Sequence, residues 1–155
     1  MGIEIERKFL VHGTDWKNTD SQVRIRQGYL QIDPAVRIRQ KGNRGYITIK
    51  GRGTNIQRPE FEYEIPLKDA VEMLNTLCPK PQIDKIRYHV QHADHLWEID
   101  EFLGSNAKLV VAEIELTSPD EQFEKPSWVG KEVTHDPAYT NAQLSVRPYS
   151  TWSEL

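Results

Sequence analysis

The sequence predicts an α+β fold dominated by antiparallel sheet, and three observations carry that prediction. Much of the 155-residue chain falls into short stretches with period-two alternation, which marks strands. Two of these runs flank a tight Gly/Asn turn, so neighbouring strands run antiparallel. Clear helical periodicity is confined to one segment near the middle of the chain, with short helix signals only further on.

The elements follow in order. "IEIERKFLV" places Ile3, Ile5, Arg7 and Phe9 on one face and Glu4, Glu6 and Lys8 on the other. A polar, turn-rich segment, "HGTDWKNTD", leads into "SQVRIRQGYLQI", the second strand. "AVRIRQKGNRGYITIKGRG" holds two alternating runs, with Gly42, Asn43 and Gly45 supplying the hairpin turn between them. "EFEYEIPL" is the next strand. In "LKDAVEMLNTLC" the period changes: Leu67, Ala70, Val71, Leu74 and Leu77 recur at helical spacing, and Pro79 and Pro81 stop the helix. "IDKIRYHV", "LWEIDEFLG" and "AKLVVAEIELTS" are three more strands. In "SPDEQF", Ser118 as N-cap, Pro119 at the first position and Glu121 closing a capping box predict the start of a short helix. The tail "PAYTNAQLSVRPYS" predicts another from Thr140.

Composition bounds the function. The chain reads as one domain over residues 1-155, long enough for a real core, with no repeat or linker. A net charge of -3 gives no reason to expect a duplex nucleic-acid partner. Cys78 is the only cysteine, which excludes a disulfide framework and a cysteine zinc cluster and suits a small core residue. No apolar run approaches the roughly 20 residues that span a bilayer. The chain starts with a charged strand pattern rather than a secretory signal, so a cytoplasmic protein without a membrane partner, monomer or homodimer, is expected. The five histidines are scattered without zinc spacing and read as surface residues.

The charges are patterned far more strongly than their total suggests. Period two puts Arg37 with Arg39 on one face of "VRIRQ", and Lys50 beside Thr48 in "YITIK". It pairs Glu62 with Glu64, Lys85 with Arg87, Glu98 with Asp100, and Glu113 with Glu115. In any one strand, such a face commonly points to water. Solvated faces mix charges with neutral polar residues, however, and like charges two apart repel. Repeated acid-with-acid and base-with-base pairs argue for an enclosed, charged lumen inside a closed barrel. Arg37, Arg39, Lys50, Lys85, Arg87 and Lys8 form a wall suited to phosphate. Clustered carboxylates repel phosphate but suit Mg²⁺ or Mn²⁺, which bridge to phosphate oxygens. The combination points to a metal–polyphosphate ligand with roughly four or five negative charges.

These motifs resemble the CYTH superfamily, the triphosphate tunnel metalloenzymes. "EIERKF" is similar to the family's E-x-E-x-K signature. "RIRQ", "ITIKG", "EYE", "DKIRY", "WEID" and "VAEIEL" follow in family order, and "GKEVTHDPAYTNAQL" resembles its C-terminal segment. The resemblance spans nearly the whole chain. It implies a closed eight-stranded antiparallel tunnel barrel with a charged lumen and a few flanking helices. It implies that Lys8, Arg37, Arg39, Lys50, Lys85 and Arg87 hold the triphosphate. It implies that Glu4, Glu6, Glu62, Glu64, Asp100, Glu113 and Glu115 supply metal ligands for Mg²⁺ or Mn²⁺. The eighth strand is "VRIRQGYLQI", where either Arg24 and Arg26 or Gln27 and Tyr29 face inward; "RQGYL" resembles the family's second strand and favours Tyr29.

The short form resembles the bacterial group that hydrolyses inorganic tripolyphosphate to pyrophosphate and phosphate, and that is the expected reaction. The candidate catalytic side chains are Lys50, Tyr29 and Lys85. An ammonium near Tyr29 lowers its phenol pKa and suits it to orient water or accept a proton, while the plainer reading is a barrel-lining aromatic. Thiamine triphosphatase, an adenylyl cyclase making cyclic AMP from ATP, and a non-catalytic polyphosphate-binding module are the alternatives. The tail is a candidate plug for one tunnel end.

Overall fold

A computed structural model describes residues 2–54 and 56–154, without the side chains of 153 and 154. Nine strands form one antiparallel sheet: β1 (Ile3–Val11), β2 (Gln22–Gln31), β3 (Ala35–Lys41), β4 (Arg44–Lys50), β5 (Gln57–Ile65), β6 (Ile83–His92), β7 (His95–Phe102), β8 (Val110–Glu115) and β9 (Val129–Glu132). Its order is β5-β4-β3-β2-β6-β7-β8-β1-β9, and a further β5–β1 pairing closes eight strands into a barrel. The helices among the described residues are α1 (Leu67–Thr76), α2 (Asn141–Val146) and short 3₁₀ turns.

Closure happens at a short seam. On one edge β1 pairs β8 through Glu6–Leu10. On the other edge only Ile3, Glu4 and Ile5 meet β5, and from Phe9 the shorter β9 takes over. The β3–β4 hairpin turns at Gly42, whose φ of +58° is the left-handed region that glycine occupies without strain.

Most of the apolar core lies outside the barrel. Phe9, Trp97, Ile99, Ala112 and Ile114 form the outer face of β1, β7 and β8, covered by Trp16, Trp128 and Phe123. Each large buried side chain here contributes about 1.5–3 kcal/mol. On the opposite side α1 lays Ala70 and Leu74 on Ile38, with Cys78 in the same cluster. Its close seat needs Gly28: a Cβ there would stand 2.8 Å from the Cys78 Cβ.

A further cluster lies on the inner face. Leu10, Ile83, Phe102 and Val111 occupy inward positions one step beyond Lys8, Lys85, Asp100 and Glu113, and they meet Leu144 and Tyr139 of the tail. Inward positions therefore turn apolar at one end of the barrel, and the C-terminal segment stops that end. The predicted tail helix is this plug; the Thr140 side chain caps it, accepting from the Gln143 N–H.

Two expectations need correction. No helix starts at Ser118. Glu121 turns back to accept from the Thr117 N–H and hydroxyl, the Ser118 hydroxyl goes to Asp120, and Phe123 is drawn onto Phe9 and Trp97. Strand β9 carries no alternation signal in the sequence, because "VGKE" is four residues with a glycine inside. Arg7, a charge on the outer face of β1, shows its purpose: it donates two hydrogen bonds to Glu132 of β9, at 2.8 and 2.7 Å.

Candidate active site

The barrel order sorts the charges into two arcs. Adjacent strands β4, β3, β2 and β6 carry Lys50, then Arg37, Arg39 and Lys41, then Lys85 and Arg87. Adjacent strands β7, β8, β1 and β5 carry Glu98 and Asp100, Glu113 and Glu115, Glu4 and Glu6, then Glu60 and Glu62. The arcs enclose a cavity of about 190 Å³. Seven cations (Lys8, Arg37, Arg39, Lys41, Lys50, Arg58 and Arg87) and seven carboxylates (Glu4, Glu6, Glu60, Glu62, Glu98, Glu113 and Glu115) line it, with Lys8 and Arg58 standing among the carboxylates on β1 and β5. Tyr29, Ala35, Thr140, Asn141 and Ala142 complete the wall.

Beneath the cavity lies a saturated ion-pair floor. Asp100 accepts from Lys85 Nζ at 2.7 Å and from Arg87 Nε and Nη2 at 2.8 and 2.9 Å. Arg87 also reaches Glu113 at 3.1 Å, and Lys8 stands 3.5 Å from Glu113. Burial works against Asp100, but Arg87 and Lys85 outweigh it and hold the carboxyl at about 2. Burial drags the Lys85 ammonium down to about 7 against the pull of Asp100. Glu113 is held well below the usual carboxylate range, because Lys8 and Arg87 overcome its burial.

Above the floor the charges are crowded instead. Burial, then Glu113 and Glu4, push Glu6 up to about 8. Glu115 and Glu60 are also raised, by burial first and then by neighbouring carboxylates, Glu4 foremost. Glu4 itself is lowered, since Lys50 and Arg58 overcome its burial; Lys50 Nζ lies 3.1 Å from both Glu4 oxygens. The basic arc is the mirror image. Burial and then Arg87 and Arg39 lower Lys41, and burial with Arg37 and Arg87 lowers Arg39. Arg37 donates to Thr48 and Glu62, yet its buried Nε has no partner. An arc of crowded cations with an unused donor lacks an anion; an arc of crowded carboxylates lacks a cation.

The sequence model of the CYTH domain matches residues 2–149 of this chain. The chain belongs to the CYTH family. It is 49% identical to an inorganic triphosphatase of Acetivibrio thermocellus over 156 residues, covering 99% of this chain and all of the relative. It is 36% identical to an inorganic triphosphatase of Nitrosomonas europaea, covering 92% of this chain and 97% of the relative. A solved structure described as the inorganic triphosphatase NE1496 superposes with a TM-score of 0.66 at 35% identity, covering 92% and 94% of the two chains.

Within this CYTH barrel, Lys8, Arg37, Arg39, Lys50, Arg87, Glu4, Glu6, Glu62, Glu113 and Glu115 line the cavity, as the strand alternation places them, and so does Tyr29, whose face alternation left open. Three residues sit elsewhere. Glu64 shares the inward parity of Glu62 but lies at the rim, half exposed and paired with Arg44 at 3.1 Å. Asp100 is one layer below the cavity with its oxygens taken by Lys85 and Arg87, so it is a floor residue rather than a free metal ligand. Lys85 is wholly buried, bound to Asp100 and Asn141, and is not part of the cavity lining. No hydrogen bond joins Tyr29 to Lys50, whose ammonium is used by Glu4 and Glu60. Arg24 and Arg26 face outward, on Asp84 and Asn75.

Four charged lining residues, and Asn141, are not singled out as site residues by the sequence. Lys41 continues the parity of Arg37 and Arg39, Arg58 and Glu60 continue that of Glu62 backward across Pro59, and Glu98 pairs with Asp100. Longer strands would have revealed the first three. Asn141 comes from the tail, where no periodicity points inward.

Among the described residues, no three His, Cys, Asp or Glu side chains converge as a ready metal site. Lys8 and Lys50 hold Glu113 and Glu4 instead. The donor set nevertheless fits a hard divalent cation: Glu4, Glu6 and Glu115 offer oxygen ligands, and the raised Glu6 and Glu115 mark negative charge in excess of its local compensation.

Proposed function

We propose that the chain hydrolyses a triphosphate, inorganic tripolyphosphate above all, to pyrophosphate and phosphate with a divalent metal. The observation that carries the reading is the balanced lumen: seven cations and seven carboxylates around one cavity. A site built for a bare anion has no use for the carboxylates. A triphosphate with about four or five negative charges, accompanied by divalent cations, satisfies both arcs together. The two relatives named inorganic triphosphatase, one matched over almost the full length of both chains, support the same substrate class.

In this reading Arg37, Arg39 and Arg87 grip phosphate oxygens with their planar donor forks, while Lys41, Lys50 and Lys8 add mobile point charge. The floor fixes Arg87 from below, so that it meets the substrate without reorganising. Glu6, with Glu4 and Glu115, would hold Mg²⁺ or Mn²⁺, which supplies charge neutralisation and an acidified water when bound. The plugged end keeps bulk water to one side of the chain being cut. No helix among the described residues is long and apolar enough to cross a membrane. A cytoplasmic location is part of the proposal, supported by the lone buried Cys78.

The test is a substrate panel. Tripolyphosphate, ATP and thiamine triphosphate are incubated with Mg²⁺ or Mn²⁺, and phosphate, pyrophosphate and cyclic AMP are measured. Phosphate and pyrophosphate from tripolyphosphate are expected. Cyclic AMP from ATP, or tight binding with no turnover, would overturn the reading. Tyr29→Phe, assayed across pH, decides between a wall aromatic and a water-orienting phenol: an unchanged profile leaves Tyr29 as wall.

A further inference from the structure

Two side-chain amides in the barrel share a geometry. Gln27 Oε1 accepts from Arg39 Nε at 2.7 Å, and its buried Nε2 has no partner. Asn141 Oδ1 accepts from Lys85 Nζ at 2.9 Å. Paired with the Asp100 carboxylate, Lys85 donates from Nζ, so the Oδ1 end of the Asn141 amide faces it. The opposite end, Nδ2, makes no hydrogen bond among the described residues. Gln27 is sealed at 0% exposure, whereas Asn141 lines the cavity. Lys85 is itself locked, wholly buried against Asp100 and 5.5 Å from the centre of the Phe102 ring.

We infer that Asn141, carried by the C-terminal tail, donates a neutral hydrogen bond from Nδ2 to an oxygen of the bound phosphate chain, with Lys85 as the residue that positions it. The inference rests on the triphosphate reading. Its physical sense is that a buried lysine with no access to the substrate orients an amide that has access. One more donor is thereby added without another cation in an arc already crowded with them. It also gives the tail a part in recognition: with the plug undocked, the lumen would keep its charges and lose this donor.

The test reads the amide directly. Uniformly ¹⁵N-labelled protein is titrated with tripolyphosphate in EDTA, where the basic arc binds without turnover. The Asn141 side-chain NH₂ pair is assigned by its absence in Asn141→Ala. Saturable movement of that pair, together with the backbone amides of Arg37 and Arg39, is the expected result. Movement of the strand amides with a stationary Asn141 pair would overturn the inference and leave the triphosphate reading standing. No movement anywhere would overturn both. Independently, Asn141→Ala is expected to weaken tripolyphosphate binding about tenfold. Gln143→Ala, on the same helix, is expected to leave binding unchanged. Equal affinities for wild type and Asn141→Ala at matched Tm would also overturn the inference. If Asn141→Ala lowers Tm, the NH₂ shifts of the wild-type protein still decide.

Discussion

Asp100 and Glu6 are both inward-facing carboxylates of the acidic arc, on strands β7 and β1, yet their surroundings drive them in opposite directions. Asp100 is enclosed by two cations that satisfy both its oxygens, and it is held at about 2. Glu6 has a single ion pair in reach, with Lys8 Nζ 3.9 Å away, and burial, then Glu113 and Glu4, push it up to about 8. The same residue chemistry serves two ends. Asp100 is part of the framework; Glu6 holds its proton at neutral pH because the folded protein alone does not compensate its charged form. Excess negative charge, rather than the mere presence of a carboxylate, marks where a cation belongs.

The largest expected effect comes from breaking the floor. Asp100→Ala strands buried Lys85 and Arg87 without their shared anion and should cost about 3–5 kcal/mol, measured by denaturant unfolding. Glu6→Gln should do the reverse: stability held or raised, with metal-dependent phosphate release down by about 100-fold or more. If Glu6→Gln unfolds the protein while Asp100→Ala does not, the contrast drawn between them is wrong.

A pH series sharpens the comparison. The folded pKa of Glu6, about 8, exceeds its ordinary 4.5, so the folded state binds that proton more tightly. The stability this contributes is fully present below about 4.5 and is lost as pH rises to about 8. Metal-free Glu6→Gln should therefore overtake the wild type between those values, by about 2–4 kcal/mol at pH 9. For Asp100 the sign is opposite. Its folded value of about 2 lies below 3.8, so its contribution is present above 3.8 and is lost as pH falls to about 2. Melting curves from pH 3 to 9 in EDTA check both slopes. The smallest effect belongs to Glu64→Gln, which should shift stability by less than about 0.5 kcal/mol and leave turnover unchanged, since its pair with Arg44 is exposed.

That last contrast also shows what the sequence could tell. Alternation assigns a face to every strand residue, and the inward face from Glu4 to Glu115 was legible because like charges recur two apart. Alternation does not assign height along the barrel. Glu60, Glu62 and Glu64 share one face of one strand, yet Glu60 and Glu62 line the cavity while Glu64 sits at the rim. Asp100 and Glu98 differ in the same way on β7. Height is set by the stagger between strands, a property of the closed barrel rather than of any local window. The neighbourhood of β2, β3, β4 and β6, which gathers the cations, is likewise a matter of topology. Asn141 was hidden for another reason: its position depends on how Leu144 and Tyr139 seat the tail on the inner apolar cluster.

The short seam of β1 bears on how the protein is made. Ile3–Ile5 find partners at Gln57–Pro59, Glu6–Leu10 at Val111–Glu115, and Phe9 and Val11 at Val129–Glu132. β1 thus pairs with segments that lie more than a hundred residues further along the chain. Hairpins such as β3–β4 pair locally and early, whereas β1 depends on contacts more than a hundred residues away in sequence. Glu6 and Lys8 come into register with their lumen neighbours only once β8 is present. The acidic wall is therefore a late product of folding, and a chain stopped before β8 carries the basic arc without Glu113 and Glu115.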